Sequence, residues 1–131
     1  MLDEGIFQFD KVTIVPNMNS KLIEDSGFFQ CIKLKTVTFY LAEVKFGTTS
    51  WDLRVMAHKG IIRSLELRMK EAAATHNHLE EKYAAHNKFL RDHISSECKK
   101  KLGRTEYSFE WGSICSYMDI KTGECVISVE Y

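Results

Sequence analysis

The chain has 131 residues, 44% hydrophobic and 27% charged, and its 18 basic side chains balance 18 acidic ones. That composition excludes wholesale disorder and suffices for a single α+β domain over residues 1–131 with its own core. No apolar run approaches the ~20 residues of a membrane span, and the acidic start Met1-Leu2-Asp3-Glu4-Gly5 lacks the basic and apolar parts of a signal peptide.

Ile6 to Val15 alternates weakly and is rich in β-branched and aromatic residues, so it reads as a strand. Pro16 to Gly27 is a turn-rich connection. Phe28 to Phe46 reads as a longer strand. From Val37 onward it is apolar on both faces, as in a strand covered on both sides or placed centrally.

Residues 49–103 contain no proline. Leu53, Met56, Ala57, Gly60, Ile61, Leu65, Met69, Ala72 and Ala73 recur at helical spacing. Thr49 and Asp52 suggest an N-terminal cap. The stripe fades at Ala74–His78, and Asn77 followed by Glu80 is a second cap signal. A new stripe runs Leu79, Tyr83, Leu90, Ile94, Cys98, Leu102, and Lys99–Lys101 before Gly103 suit a helix C-terminus. The spacing therefore predicts two helices of roughly 24 residues, each about 36 Å long, packed as an antiparallel hairpin. One continuous helix is a competing reading, as is a strand over Trp51–Ala57 with the first helix starting after Gly60.

Arg104 to Tyr131 reads as a β-hairpin turning at Asp119–Glu124. Its odd-numbered residues, among them Tyr107, Phe109, Trp111, Cys115, Tyr117, Cys125, Ile127, Val129 and Tyr131, form the expected core face. The other face carries Glu106, Glu110, Met118, Glu124 and Glu130. The expected fold is α+β: an antiparallel sheet packed on one face by two long helices.

Several groups invite a chemical reading. His86, His93 and Glu97 fall on one side of the second expected helix, where His93 and Glu97 could chelate a metal, but they flank the apolar stripe and read as boundary residues. Cys98 lies about 140° round the helix from His93, a poor nucleophile–base pair. Glu80 and Glu81 read as first-turn acids. The four cysteines, Cys31, Cys98, Cys115 and Cys125, have neither CxxC nor zinc spacing, and read as free buried thiols of a reducing cytoplasm. No phosphate loop, nucleophile elbow, HExxH or EF-hand pattern is present, so neither a cofactor nor a metal is expected.

Charge is uneven. Residues 51–103 carry eleven basic and seven acidic side chains, and residues 104–131 two basic and five acidic. The basic surplus is too thin for nucleic-acid binding, and no membrane contact is expected. The face bearing Glu106, Glu110, Met118, Glu124 and Glu130 reads as an acidic docking surface for a basic protein. The expectation is a non-catalytic cytoplasmic binding protein, specifically a bacterial toxin-neutralising (immunity) protein that masks a basic, nuclease-type toxin. The alternatives are a small enzyme or ligand-binding protein with a cleft between helices and sheet, and a subunit that oligomerises through its helices.

Overall fold

The computed structural model describes residues 2–70 and 79–131. A 3-10 turn (Leu2–Glu4) leads into β1 (Phe7–Gln8) and β2 (Thr13–Ile14), a two-stranded ribbon, followed by the short helix α1 (Lys21–Asp25). Then come β3 (Gln30–Lys33), β4 (Val37–Phe46), β5 (Thr49–His58), β6 (Ile61–Met69), α2 (Leu79–His93), β7 (Lys99–Lys101), β8 (Arg104–Phe109), β9 (Gly112–Asp119) and β10 (Glu124–Glu130). The last eight strands form one antiparallel sheet in the order β3-β4-β5-β6-β10-β9-β8-β7. Two four-stranded meanders thus start at opposite edges and meet in the middle, at β6 and β10.

This overturns the expectation of two long helices over residues 49–103. Residues 49–69 are two strands, and α2 is the one helix of substantial length among the described residues. The decisive local feature is Lys59-Gly60. Both residues have positive φ, 54° and 78°, the geometry of a two-residue hairpin turn whose twist matches that of the flanking strands. Trp51, Leu53, Val55 and Ala57 then alternate with Asp52, Arg54 and Met56, and Leu65 and Leu67 alternate with Glu66 and Arg68. That period-2 pattern buries one face of each strand. The register shift opposite Met56/Ala57 leaves Arg63 of β6 unpaired and interrupts the alternation of that strand, where Ser64 and Leu65 are both buried. The second expected helix exists but ends at His93, not Gly103, and Lys99–Lys101 is a strand. The expected turn at Thr75–Asn77 lies outside the described residues.

The covered face of the sheet holds Tyr40, Val44, Trp51, Leu53, Val55, Leu65, Leu67, Tyr107, Ile114, Ile127 and Val129, all buried. Two lids share that face. Phe89 and Leu90 of α2 pack on it, and so do Leu2, Phe7, Phe9, Ile14 and Ile23 from the N-terminal segment. Phe46 joins the lids, edge-on to Phe9 at 6.0 Å and to Phe89 at 5.3 Å. The expected strands at 6–15 and 28–46 are each split by a turn. Val37, Phe39 and Leu41 of β4 face the uncovered side and are half-buried, so β4 is covered on one face only.

The C-terminal segment also differs from the expected two-stranded hairpin. It is a three-stranded meander, because Phe109 pairs with Gly112 and leaves Glu110-Trp111 as a tight turn. The turn reverses the chain, so residue parity changes face across it. Ile114, Ser116 and Met118 lie on the covered face with Tyr107, while Cys115 and Tyr117 lie on the open one. Trp111 is a half-buried turn residue, not a mid-strand core residue.

The two edges differ in character. β7 is Lys-Lys-Lys, all exposed. β3 carries the exposed Ile32, and the exposed Leu34 follows it.

Candidate partner-binding site

The open face is built from cross-strand rows. One row runs across seven strands: Leu41, Arg54, Glu66, Ser128, Cys115, Glu106, Lys99. Opposite charges lie side by side along it, the arrangement that stabilises a pleated surface. Arg54 donates to Glu66 at 2.6 Å, and Arg68 reaches Glu66 at 3.5 Å and Glu124 at 3.3 Å. Arg104 lies 3.6 Å from Glu106. Arg54 also rests over the Phe39 ring. Val126 and Cys115 are buried on this face although, among the described residues, no element packs over it; the long charged side chains around them shield them.

The five residues expected to form one docking surface are therefore dispersed. Glu106 and Glu124 share the open face, each neutralised by an arginine. Met118 pairs with Cys125 on the opposite face. Glu110 is in the turn before Trp111. Glu130 projects from the open face next to that same turn, since it pairs with Ser113. The arginine partners were hidden in the sequence because Arg54 and Arg68 sit in the stretch whose spacing suggests a helix.

Glu110 and Glu130 meet a feature that sequence reasoning missed. Trp111 stacks on Phe109 with ring centroids 5.1 Å apart and planes 7° from parallel, and leans on Tyr131 at 5.4 Å. Its Nε1 donates to the Asp3 carbonyl at 2.7 Å, and the Tyr131 hydroxyl donates to the Gly5 carbonyl at 2.9 Å. Burial pushes the Tyr131 phenol up, so it stays a donor. The three rings are half-buried. Exposed carboxylates precede or adjoin each: Glu110 before Trp111, Glu130 before Tyr131, and Glu4 between Asp3 and Gly5.

This end of the molecule is rigidly held. Burial pulls the Asp3 carboxyl up. The bonds from Ser96 and Ser95, through both hydroxyls and both backbone amides, outweigh it and hold the group at about 2. They tie the N-terminal turn to the loop after α2. Gly112 is needed because the β10 backbone passes so close that a Cβ there would collide with the Glu130 carbonyl. A methyl at Gly5 would strike the Trp111 ring at 2.8 Å. Chemically, fixed aromatic faces in a segment that also exposes carboxylates suit lysine and arginine side chains, through cation–π contact and charge pairing.

The other groups singled out from sequence serve the core. His86 is buried and stacked on Trp51 at 5.5 Å. Its Nε2 accepts the Met69 amide at 3.2 Å. Lys70 N–H bonds Ser50 on β5, so the Met69 amide points the other way, toward β10, where pairing with β6 stops at Ile127–Leu67. His86 fills that gap in the ladder. Desolvation, with Arg68 and Lys82 adding repulsion, lowers its pKa to about 4, so the ring is neutral. His93 Nδ1 bonds the Phe89 carbonyl and its ring packs on Phe46 and Phe89. Glu97 is exposed beyond the helix end. Among the described residues, no three His, Cys, Asp or Glu side chains come together as a metal site would require. All four cysteines are free thiols. Cys31 is exposed on the edge strand rather than buried, and burial pushes Cys115 and Cys125 up, away from the reactive thiolate.

No family model matches the sequence, and no curated protein and no solved structure is significantly similar to it. No helix among the described residues is long and apolar enough to cross a membrane.

Proposed function

We propose that this is a non-catalytic protein-binding module of the cytoplasm that docks a basic protein at the Trp111 end of its sheet. The specific form we favour is a toxin-neutralising immunity protein whose partner is a basic, nuclease-type toxin. The observation that carries the reading is the Phe109–Trp111–Tyr131 stack, next to whose residues and tethers the exposed Glu4, Glu110 and Glu130 stand in the sequence. Binding energy at protein interfaces concentrates in such fixed aromatic anchors, and a charged rim raises the rate of encounter. The neutral, packed His86 and the buried thiols of Cys115 and Cys125 further support a binding role over a catalytic one.

The four glutamates fall into two pairs that should behave differently. The test is association kinetics against the partner captured from the native host. Glu110→Lys/Glu130→Lys should slow association markedly, and the parent's on-rate should fall as salt rises and the Debye length shrinks from about 10 Å at 0.1 M to about 3 Å at 1 M. Glu106→Lys/Glu124→Lys, on the arginine-neutralised part of the open face, should change it little. The reverse ranking would move the docking surface to the open face, and equal rates for all three proteins would remove the acidic end from the interface.

A further inference from the structure

The end of the sheet opposite Trp111 carries an unrelated set of features. Two hairpin turns lie side by side there. The β7–β8 turn is Leu102-Gly103, and the β9–β10 turn spans 120–123. They adjoin because the Met118 amide donates to the Gly103 carbonyl at 3.0 Å. Leu102 is 101% exposed and Ile120 is 81% exposed, the two most exposed large apolar side chains among the described residues.

These bare tips are set in positive charge. Lys99, Lys100, Lys101 and Arg104 flank Leu102 within six positions, with no acidic residue among them, and Lys121 follows Ile120. Three acids lie nearby, and two of them belong to the patch itself, where Glu106 is matched by Arg104. Asp119 accepts the Lys121 backbone amide at 3.0 Å, Glu124 faces Arg68, and Glu106 faces Arg104.

Edge protection accounts for part of this. Lysines on a short edge strand discourage pairing with another chain. It does not account for Leu102 or Ile120, which lie in turns, touch no core and carry the full cost of hydrated apolar surface. A nucleic acid would reward the lysines through its phosphates but gives an aliphatic tip nothing to bury against. A bilayer surface rewards both: anionic headgroups draw the lysines, and the tips enter the acyl boundary.

We infer that this end of the molecule is a peripheral membrane-contact site, in which Leu102 and Ile120 insert shallowly into a bilayer while Lys99–Lys101 and Lys121 engage anionic phospholipid headgroups. The contact is peripheral and needs no spanning segment. It uses the end of the sheet away from Trp111, so it leaves the proposed partner site free and stands independently of that reading.

The experiment is co-sedimentation of the full chain with phosphatidylcholine vesicles, with and without phosphatidylserine. The parent should sediment with the anionic vesicles only, and less so as salt rises. Lys99→Ala/Lys100→Ala/Lys101→Ala should weaken binding by about tenfold or more. Leu102→Ser/Ile120→Ser should weaken it comparably with all charges intact. All of these side chains are exposed, so the variants should melt with the parent, which circular dichroism checks. In a Leu102→Trp variant, emission should shift to the blue on adding anionic vesicles. Absence of parent binding to anionic vesicles would overturn the inference. So would lysine-dependent binding that the serine variant retains, because a charge-only contact marks a soluble polyanion such as nucleic acid or an acidic protein.

Discussion

His86 shows how a single residue can carry a strand junction. It supplies the acceptor for an amide that no strand reaches, and it does so only while neutral. In the unfolded chain a histidine titrates near its ordinary 6.5, whereas in the fold it does so at about 4. Between those values the unfolded state binds the extra proton, so stability rises with pH across that window and is lost as pH falls through it. The shift corresponds to about 3 kcal/mol. Equilibrium unfolding at pH 7 and pH 4.5 should show a larger loss for the parent than for His86→Gln, which keeps an acceptor and cannot charge. At Gly112 the constraint is steric, and Gly112→Ala should cost at the upper end of the ~1–3 kcal/mol typical of overpacking, read as a lower denaturant midpoint. The two tryptophans separate in the same assay. Trp51, wholly buried, should cost about 3–5 kcal/mol on truncation to alanine. Trp111 should cost less, since it is a half-buried turn residue; a cost equal to that of Trp51 would put it back in the core.

At the scale of elements, what was legible depended on whether two periodicities competed. The α2 pattern was read because Tyr83 and Leu90 keep helical spacing over a stretch with no β-branched residue and acids in its first turn. The β5–β6 hairpin was not. Leu53, Met56, Ala57, Leu65 and Met69 satisfy helical spacing by coincidence, and the bulge at Arg63 interrupts the alternation of β6, although that of β5 is unbroken. Lys59-Gly60 was the available signal, since a glycine after a polar residue between alternating runs marks a tight turn. In the C-terminal segment, Gly112 was the corresponding mark. Missing it carried one face assignment through a chain reversal and placed Met118 among the glutamates. The candidate site is legible only in Glu110 and Glu130, because Asp3 holds Trp111 from 108 positions away and Gly5 holds Tyr131 from 126. The elements should also differ in local stability: backbone amides of β5, β6 and β10 should exchange with solvent slowest and those of β3 and β7 fastest, as measured by native-state hydrogen exchange.

Seen whole, the molecule is a sheet with one lidded face, one self-neutralised face and two chemically distinct ends. Its two edges differ as well, and that difference governs how copies of the chain can associate. An open sheet with two receptive edges can add subunits without limit, whereas one with a single receptive edge cannot. Here β7 presents three lysines that repel a second β7, while β3 has no such run and carries the exposed Ile32. Two copies joined β3 to β3 would expose only lysine strands at both outer borders. The lysines should therefore act as a stop against polymerisation: sedimentation at high concentration should show nothing larger than a pair, and replacing Lys99–Lys101 with threonines should allow fibres to grow.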